Sequence, residues 1–160
     1  MPTALTRRRV RYARGYLELG LVREAATEVE AVDAAEQDDR EVLGVRVDLH
    51  LAAREWEPAV QYGRRLAEAY PEAEHAWIGW AYALRELNRV AEARAVLLAA
   101  EVRHGGQSAV LHYNLACYEA LLGDLARARE RLAEACRMEP RFQAESRQDP
   151  DLRPLFAAAD

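Results

Sequence analysis

Lysine is absent from this sequence, so all 22 basic residues are arginine. Two readings of that bias stay open: the codon composition of a GC-rich, bacterial-like genome, or use of arginine's planar, bidentate fork. Isoleucine occurs once, at Ile78, and threonine three times, so the β-branched set is mostly valine. A strand-built protein needs more of these residues than that. Only two cysteines occur, Cys117 and Cys136. Two thiols are too few for a disulfide scaffold and fit a reduced, cytoplasmic protein. No apolar run approaches the roughly 20 residues that span a bilayer. The start is basic, but its apolar residues are interrupted by charge, as in Gly15-Tyr16-Leu17-Glu18, and no secretory signal is expected.

What is abundant is Ala, Leu, Glu and Arg, all strong helix formers. The 160 residues fit one domain, able to bury roughly 70% of the unfolded chain's surface. The formal net charge is −5, whereas a nucleic-acid binder normally shows a basic domain or stripe. The charge is nevertheless uneven. Arg7, Arg8, Arg9, Arg11 and Arg14 face no acid among residues 1–14, while Glu24 to Glu41 is strongly acidic. Two paired helices with solvated faces of opposite sign would account for this. A basic patch for an acidic partner is the alternative.

The most legible stretch is Val110 to Pro140, which reads as two amphipathic helices joined at Leu122-Gly123-Asp124. Its pattern repeats upstream. Ala25, Ala59, Ala93 and Ala128 recur at spacings of 34, 34 and 35 residues. Gly20, Arg54, Asn88 and Gly123 each stand five residues before one of them. Gly and Asn tolerate the left-handed conformation that ends a helix. Arg54 does not share that tolerance, so the second turn is expected to close differently. Pro71 and Pro140 stand where a second helix must stop. A small alanine lets two helix backbones approach, and a helix pair that cannot bury its apolar stripe alone stacks on the next pair.

On these residues the chain resembles the tetratricopeptide repeat (TPR) family. The fourth unit matches through Leu115, Ala116, Gly123, Ala128, Leu132, Ala135 and Pro140, with His112 in the usual tryptophan place and Glu119 in the usual tyrosine place. The third matches through Trp77, Trp80, Ala81, Ala93, Leu97 and Ala100. The first matches through Ala13, Tyr16, Gly20 and Ala25, followed by Val29 and Val32. The second is weakest: Leu43, Ala59, Leu66 and Pro71, with His50 at an aromatic site and Gly63 where a bulky residue belongs. The resemblance implies an all-α fold, a right-handed superhelical solenoid of antiparallel helix pairs. It implies one domain over 1–160, with repeats near 6–37, 40–71, 74–105 and 109–140 and a capping segment at 141–160.

The pattern predicts helices near 4–19, 22–36, 39–53, 56–69, 72–87, 90–103, 107–122 and 125–138. Asp38 with Glu41 resembles a capping box. Pro58 and Pro71 suit a first helical turn, and Ser108 can cap the helix after Gly105-Gly106. In the tail a ninth helix is expected over 141–148, then a restart at Asp149-Pro150, with Asp149 as N-cap. A stack exposes an apolar end unless something covers it; the tail is read as that cover, the alternative being a docking segment for a partner or a second copy.

No constellation promises chemistry. Gly105-Gly106 is isolated and follows no strand. His50, His75, His104 and His112 lack a metal-ligand spacing, and Cys117 beside Ala116 reads as a small packing residue. The expectation is a non-enzyme with no metal and no cofactor. The family resemblance implies that the first helices of the pairs line a partner groove. Carried over, the groove residues are Arg7, Val10, Arg14 and Leu17, then Glu41, Asp48 and Leu51, then His75, Ile78, Tyr82 and Arg85, then Tyr113, Asn114, Cys117 and Leu121. The expected role is a scaffold or adaptor that binds a peptide or helix of a protein partner, with no nucleic acid and no membrane, as a monomer or weak homo-oligomer. A self-assembling or secretion-type chaperone protein is the alternative.

Overall fold

The computed structural model describes residues 1–157. Its elements are α1 (Ala4–Glu18), α2 (Val22–Glu30), α3 (Arg40–Ala52), α4 (Trp56–Ala69), α5 (Glu74–Glu86), α6 (Val90–His104), α7 (Ala109–Leu121), α8 (Leu125–Met138) and α9 (Phe142–Gln148), with short 3-10 helices at Ala34–Glu36 and Pro150–Leu155. Among the described residues there is no strand, and no helix is long and apolar enough to cross a membrane. Residues 158–160 of the expected capping segment lie outside the described residues. The chain divides into two compact units, Met1–Ala83 and Leu84–Asp160, and the division falls within α5.

The four repeat turns close alike. Gly20, Arg54, Asn88 and Gly123 all take left-handed backbone, at φ 73°, 57°, 59° and 88°. In each, the turn residue's N–H bonds a carbonyl three residues back, and the next N–H bonds one five back, as Arg54 N to Leu51 O (3.1 Å) and Glu55 N to His50 O (2.9 Å). This is the paired-bond closure that satisfies the last carbonyls of a helix. The expectation that Arg54 closes its turn differently is therefore corrected. Backbone satisfaction outweighs the left-handed cost of a Cβ there.

Three local readings shift. The second helix stops at Glu30 instead of running to 36. Asp33 captures the Ala35 N–H (2.8 Å) and starts a new turn, while Glu36 is drawn to the N-terminus of α1, where it accepts from Thr3 N and the Thr6 hydroxyl. Asp39, not Asp38, caps α3, accepting from Glu41 N at 2.9 Å; Asp38 pairs with Arg65 instead. Pro71 lies in the loop before α5, because the residue ahead of a proline is pushed out of the helical region: Tyr70 sits at φ −135°, ψ 73°. Ser108 caps α7 as expected, accepting from Leu111 N at 3.1 Å.

In the first unit, Val10 and Ala13 of α1, Ala25 and Val29 of α2, and Val42, Val45 and Leu49 of α3 form one core cluster. Leu43 and Val47 on the other side of α3 join Leu66, Ala67, Ala73 and Ala76 in a second, with Trp77 and Trp80 packed on it. Thus α3 buries both of its sides. Gly63 explains the weak second unit. A Cβ there would stand 2.9 Å from Trp80 Cβ and 3.1 Å from Trp80 Cα, so glycine lets α4 and α5 approach backbone to backbone.

In the second unit α7 packs against α6, α8 and the 3-10 segment Pro150–Leu155. The two departures from the repeat pattern carry polar networks. His112 is buried; its Nε2 lies 2.7 Å from Gly105 O, an N–H donor's distance, and its Nδ1 lies 3.3 Å from Arg131 Nη1. Arg131 in turn forks onto Glu101, whose carboxyl is held below its ordinary pKa chiefly by that bond. Glu119, buried at 1% exposure, pairs with Arg94 at 3.2 Å. A buried charge needs such a partner. All four repeat alanines, Ala25, Ala59, Ala93 and Ala128, are fully buried.

Candidate partner-binding faces

The groove residues expected in the first unit divide into three kinds. Val10 is buried in the first core cluster, and Leu17 and Leu51 are half-buried packing residues. Ile78 is half-buried. Arg7, Arg14, Glu41, Asp48, His75 and Tyr82 are exposed.

Three of the exposed residues converge from three helices. Gly44 on α3 is buried, and a Cβ built on it would meet His75 Nε2 at 3.3 Å and Arg14 Nη2 at 3.7 Å. The missing side chain thus leaves room for the tips of His75 (α5) and Arg14 (α1) beside α3. Asp48 stands one helical turn beyond Gly44 on the same face. It is exposed to solvent, yet protein surrounds it closely enough that desolvation raises its carboxyl pKa, against the opposing charges of His75 and Arg14. Arg14 also pairs with Glu41 at 2.7 Å.

Beside this cluster lies an open pocket of about 660 Å³, lined by Pro2, Thr6, Arg7, Val10, Arg11, Arg14, Gly15, Glu18, Asp39 and Glu41. Its walls carry both signs of charge, but the arginines are grouped: Arg7 and Arg11 stand one turn apart on α1. Arg7 donates to Pro2 O at 2.6 Å. Tyr82 is 44% exposed and meets Trp56 edge-on, with ring centroids 6.1 Å apart.

The residues carried over to the second unit lie differently. Arg85, Tyr113 and Cys117 come together, and what they meet is the chain's own tail. Arg85 Nε donates to Asp151 Oδ2 at 2.9 Å, and its Nη2 donates to the other oxygen, giving a two-pronged ion pair. The Tyr113 hydroxyl donates to Asp149 Oδ2 at 2.8 Å, and the Cys117 thiol points to the same oxygen at 3.7 Å. Asp149 Oδ1 meanwhile accepts from Asp151 N at 2.9 Å, as an N-cap does. Phe142 stacks on Tyr113 with centroids 4.5 Å apart, and Leu152 is fully buried. Desolvation first, then the Asp149 contact, pushes the Tyr113 pKa up. Desolvation and the two aspartates do the same to Cys117, which keeps it as a thiol. Asn114 is half-buried, and Leu121, 43% exposed, lines a shallow pocket with Asn88, Val90 and Leu122.

Cys117, Asp149 and Asp151 offer ligand atoms within 4.8 Å of one another. Arg85 already supplies the countercharge to Asp151 in a two-pronged ion pair. Sequence reasoning gave Asp149 only a capping role and missed Asp151 and Gly44. The signal for the tail was present as two aspartates two residues apart around a proline. Nothing in the sequence pattern pairs them with an arginine 66 residues away.

Paired helices with alanine at each crossing and the same left-handed closure at every turn decide the architecture. The chain has the tetratricopeptide-repeat fold. TTC0263, a thermophilic TPR protein in Thermus thermophilus, superposes with a TM-score of 0.76 at 23% identity, covering 94% of this chain and 81% of that one. PilW, a widely conserved type IV pilus biogenesis factor, gives 0.75 at 17% identity over 96% and 76%. MamA from MSR-1 gives 0.71 at 20% identity over 83% and 76%. No protein-family model and no curated protein matches the sequence. Within the TPR fold, the exposed residues above lie on α1, α3 and α5, the first helices of their pairs, and the tail contacts lie on α7 and the end of α5.

Proposed function

We propose that this chain is a protein-interaction scaffold, working as one domain over residues 1–160 and holding a peptide or helical segment of a protein partner against the first helices of its repeats, without catalysis. The observation that carries the reading is the convergence of Arg14, Asp48 and His75 around Gly44, an exposed polar cluster drawn from three helices. Packing favours small or apolar residues at such helix crossings. Here the small residue is a buried glycine, and the space beside it is taken by polar side chains from two other helices. Arg7 and Arg11 extend the site along α1 with positive charge, which suits carboxylates on the partner. Tyr82 adds a rigid, amphipathic contact surface.

The cysteines support a reducing, cytoplasmic setting, since neither Cys117 nor Cys136 is bonded to another sulfur. The negative net charge favours a protein partner over nucleic acid or membrane.

Affinity capture from native extract with the full chain tests the reading. Wild type is expected to retain a discrete protein, and Arg14→Glu or Tyr82→Ala to lose it by about tenfold or more at unchanged helicity. Retention undiminished by both substitutions contradicts the proposed face. A mass in light scattering that grows with concentration would favour self-assembly instead.

A further inference from the structure

The tail segment that follows α9 is held by contacts of a kind one protein uses to hold another's peptide. It is a six-residue 3-10 helix, Pro150–Leu155, containing two prolines. Such helices have poor internal hydrogen-bond geometry and seldom run this long without outside support. The support comes from α7, α8 and α9 and from Arg85 at the end of α5. One aspartate takes a two-pronged arginine, the other takes a tyrosine hydroxyl and a thiol, and a leucine between the prolines is fully buried. Charged, bidentate pairing and an apolar anchor are how a short segment is fixed in a groove. Phosphate or a metal fits less well: the donors are one arginine, one hydroxyl and one thiol, matched to two carboxylates spaced by one residue.

We infer that the face formed by Arg85, Tyr113 and Cys117 is a binding site for an acidic peptide of the form Asp-x-Asp followed by an apolar residue, and that Asp149–Leu152 is a built-in occupant that a partner's acidic segment displaces. The inference rests on reading the first helices as partner-binding surfaces. It goes further in naming the ligand's chemistry in the second unit and a self-occluded state that regulates access.

The consequence is quantitative. An internal occupant lowers the apparent affinity of an external one by the fraction of time the site is open. Weakening the occupant without touching the site must therefore strengthen external binding. Asp151→Asn does this in the full chain: it removes the carboxylate charge that Arg85 pairs with and leaves the Asp149 cap in place. The probe is a fluorescent nonapeptide with the sequence of residues 148–156, QDPDLRPLF, followed by polarisation, and compared with the same peptide carrying asparagine at both aspartates.

Asp151→Asn is expected to bind the acidic peptide about tenfold tighter than wild type, the asparagine peptide to bind neither protein, and Arg85→Gln added to Asp151→Asn to abolish the gain. Alkylation of Cys117, resolved from Cys136 by mass spectrometry, gives an independent readout. It should quicken in Asp151→Asn and slow again when peptide is added. Equal peptide affinity in the two proteins overturns the inference. So does an Asp151→Asn protein that loses helicity, or one whose Cys117 opens without gaining peptide, since the tail is then a structural cover only. Dimers that exchange tails would overturn it too, by showing a second copy to be the occupant. None of these failures touches the capture by α1, α3 and α5. Conversely, loss of that capture with peptide bound at α7 would remove only the earlier reading.

Discussion

Asp48 shows how a single residue can be at odds with stability while serving a surface. Its folded carboxyl pKa lies above the ordinary 3.8 because burial by surrounding protein penalises the charge. A raised acid pKa means that folding takes up a proton over the window above 3.8, so this group's contribution worsens as pH rises through its folded value. Asp48→Asn is therefore expected to raise the melting temperature at pH 7. The gain should shrink on acidification and vanish near about pH 3, where the carboxyl is protonated folded or unfolded. Thermal denaturation of both proteins across that range checks it, and a gain that persists unchanged at low pH contradicts the cause given. The same substitution is expected to weaken partner capture, the usual exchange of stability for function at a binding site. Little of this was legible in the sequence. The repeat position puts Asp48 on the inner face, but glycines act through space. Gly44 makes room for side chains from α1 and α5, and Gly63 for the backbone of α5. From the repeat pattern alone Gly63 was a missing bulky residue, because the closeness of Trp80 belongs to tertiary structure.

The helix turns are where sequence and element agree best, and Arg54 is the instructive exception. Three of the four turn residues, Gly20, Asn88 and Gly123, are types suited to a left-handed C-cap, and their positions marked the ends of α1, α5 and α7 to within a residue or two. Arg54 adopts the same conformation at φ 57°. A side chain there costs about 1–2 kcal/mol, while glycine's extra unfolded-state freedom offsets about 0.5–1 kcal/mol. Arg54→Gly is accordingly expected to stabilise the protein by about 0.5–1 kcal/mol, visible as a melting temperature raised by about 1–4 °C. A lowered melting temperature would mean that the arginine side chain holds more than the backbone geometry shows. The end of α2 was legible only in part, since Asp33 and Glu36 look like ordinary helix-surface acids until their targets, Ala35 N–H and the start of α1, are known. Sequence periodicity locates apolar stripes well. It is silent on which acid will leave a helix to satisfy a backbone group elsewhere.

For the whole molecule, the repeat spacing was enough to anticipate the all-α, paired-helix architecture that the TPR structures share. The spacing follows from a physical need: each pair must bury its stripe on the next, so the crossing alanines and the turns keep a fixed distance. Function has no such periodic signature. The side chains that packing leaves over follow no period, and they differ between the units. In the first, Arg14, Asp48 and His75 are exposed around Gly44. In the second, Arg85, Tyr113 and Cys117 are engaged by the chain's own aspartates.

The central claim is that the first helices hold a polypeptide partner, and site-resolved photo-crosslinking in cells tests it most directly. A photo-reactive amino acid placed at Tyr82, exposed on α5, is compared with one placed at Arg64, exposed on α4, the second helix of its pair. The account predicts a discrete crosslinked protein from position 82, lost on adding Arg14→Glu, and none from position 64. The same crosslinked protein from both positions, or from position 64 alone, would contradict it.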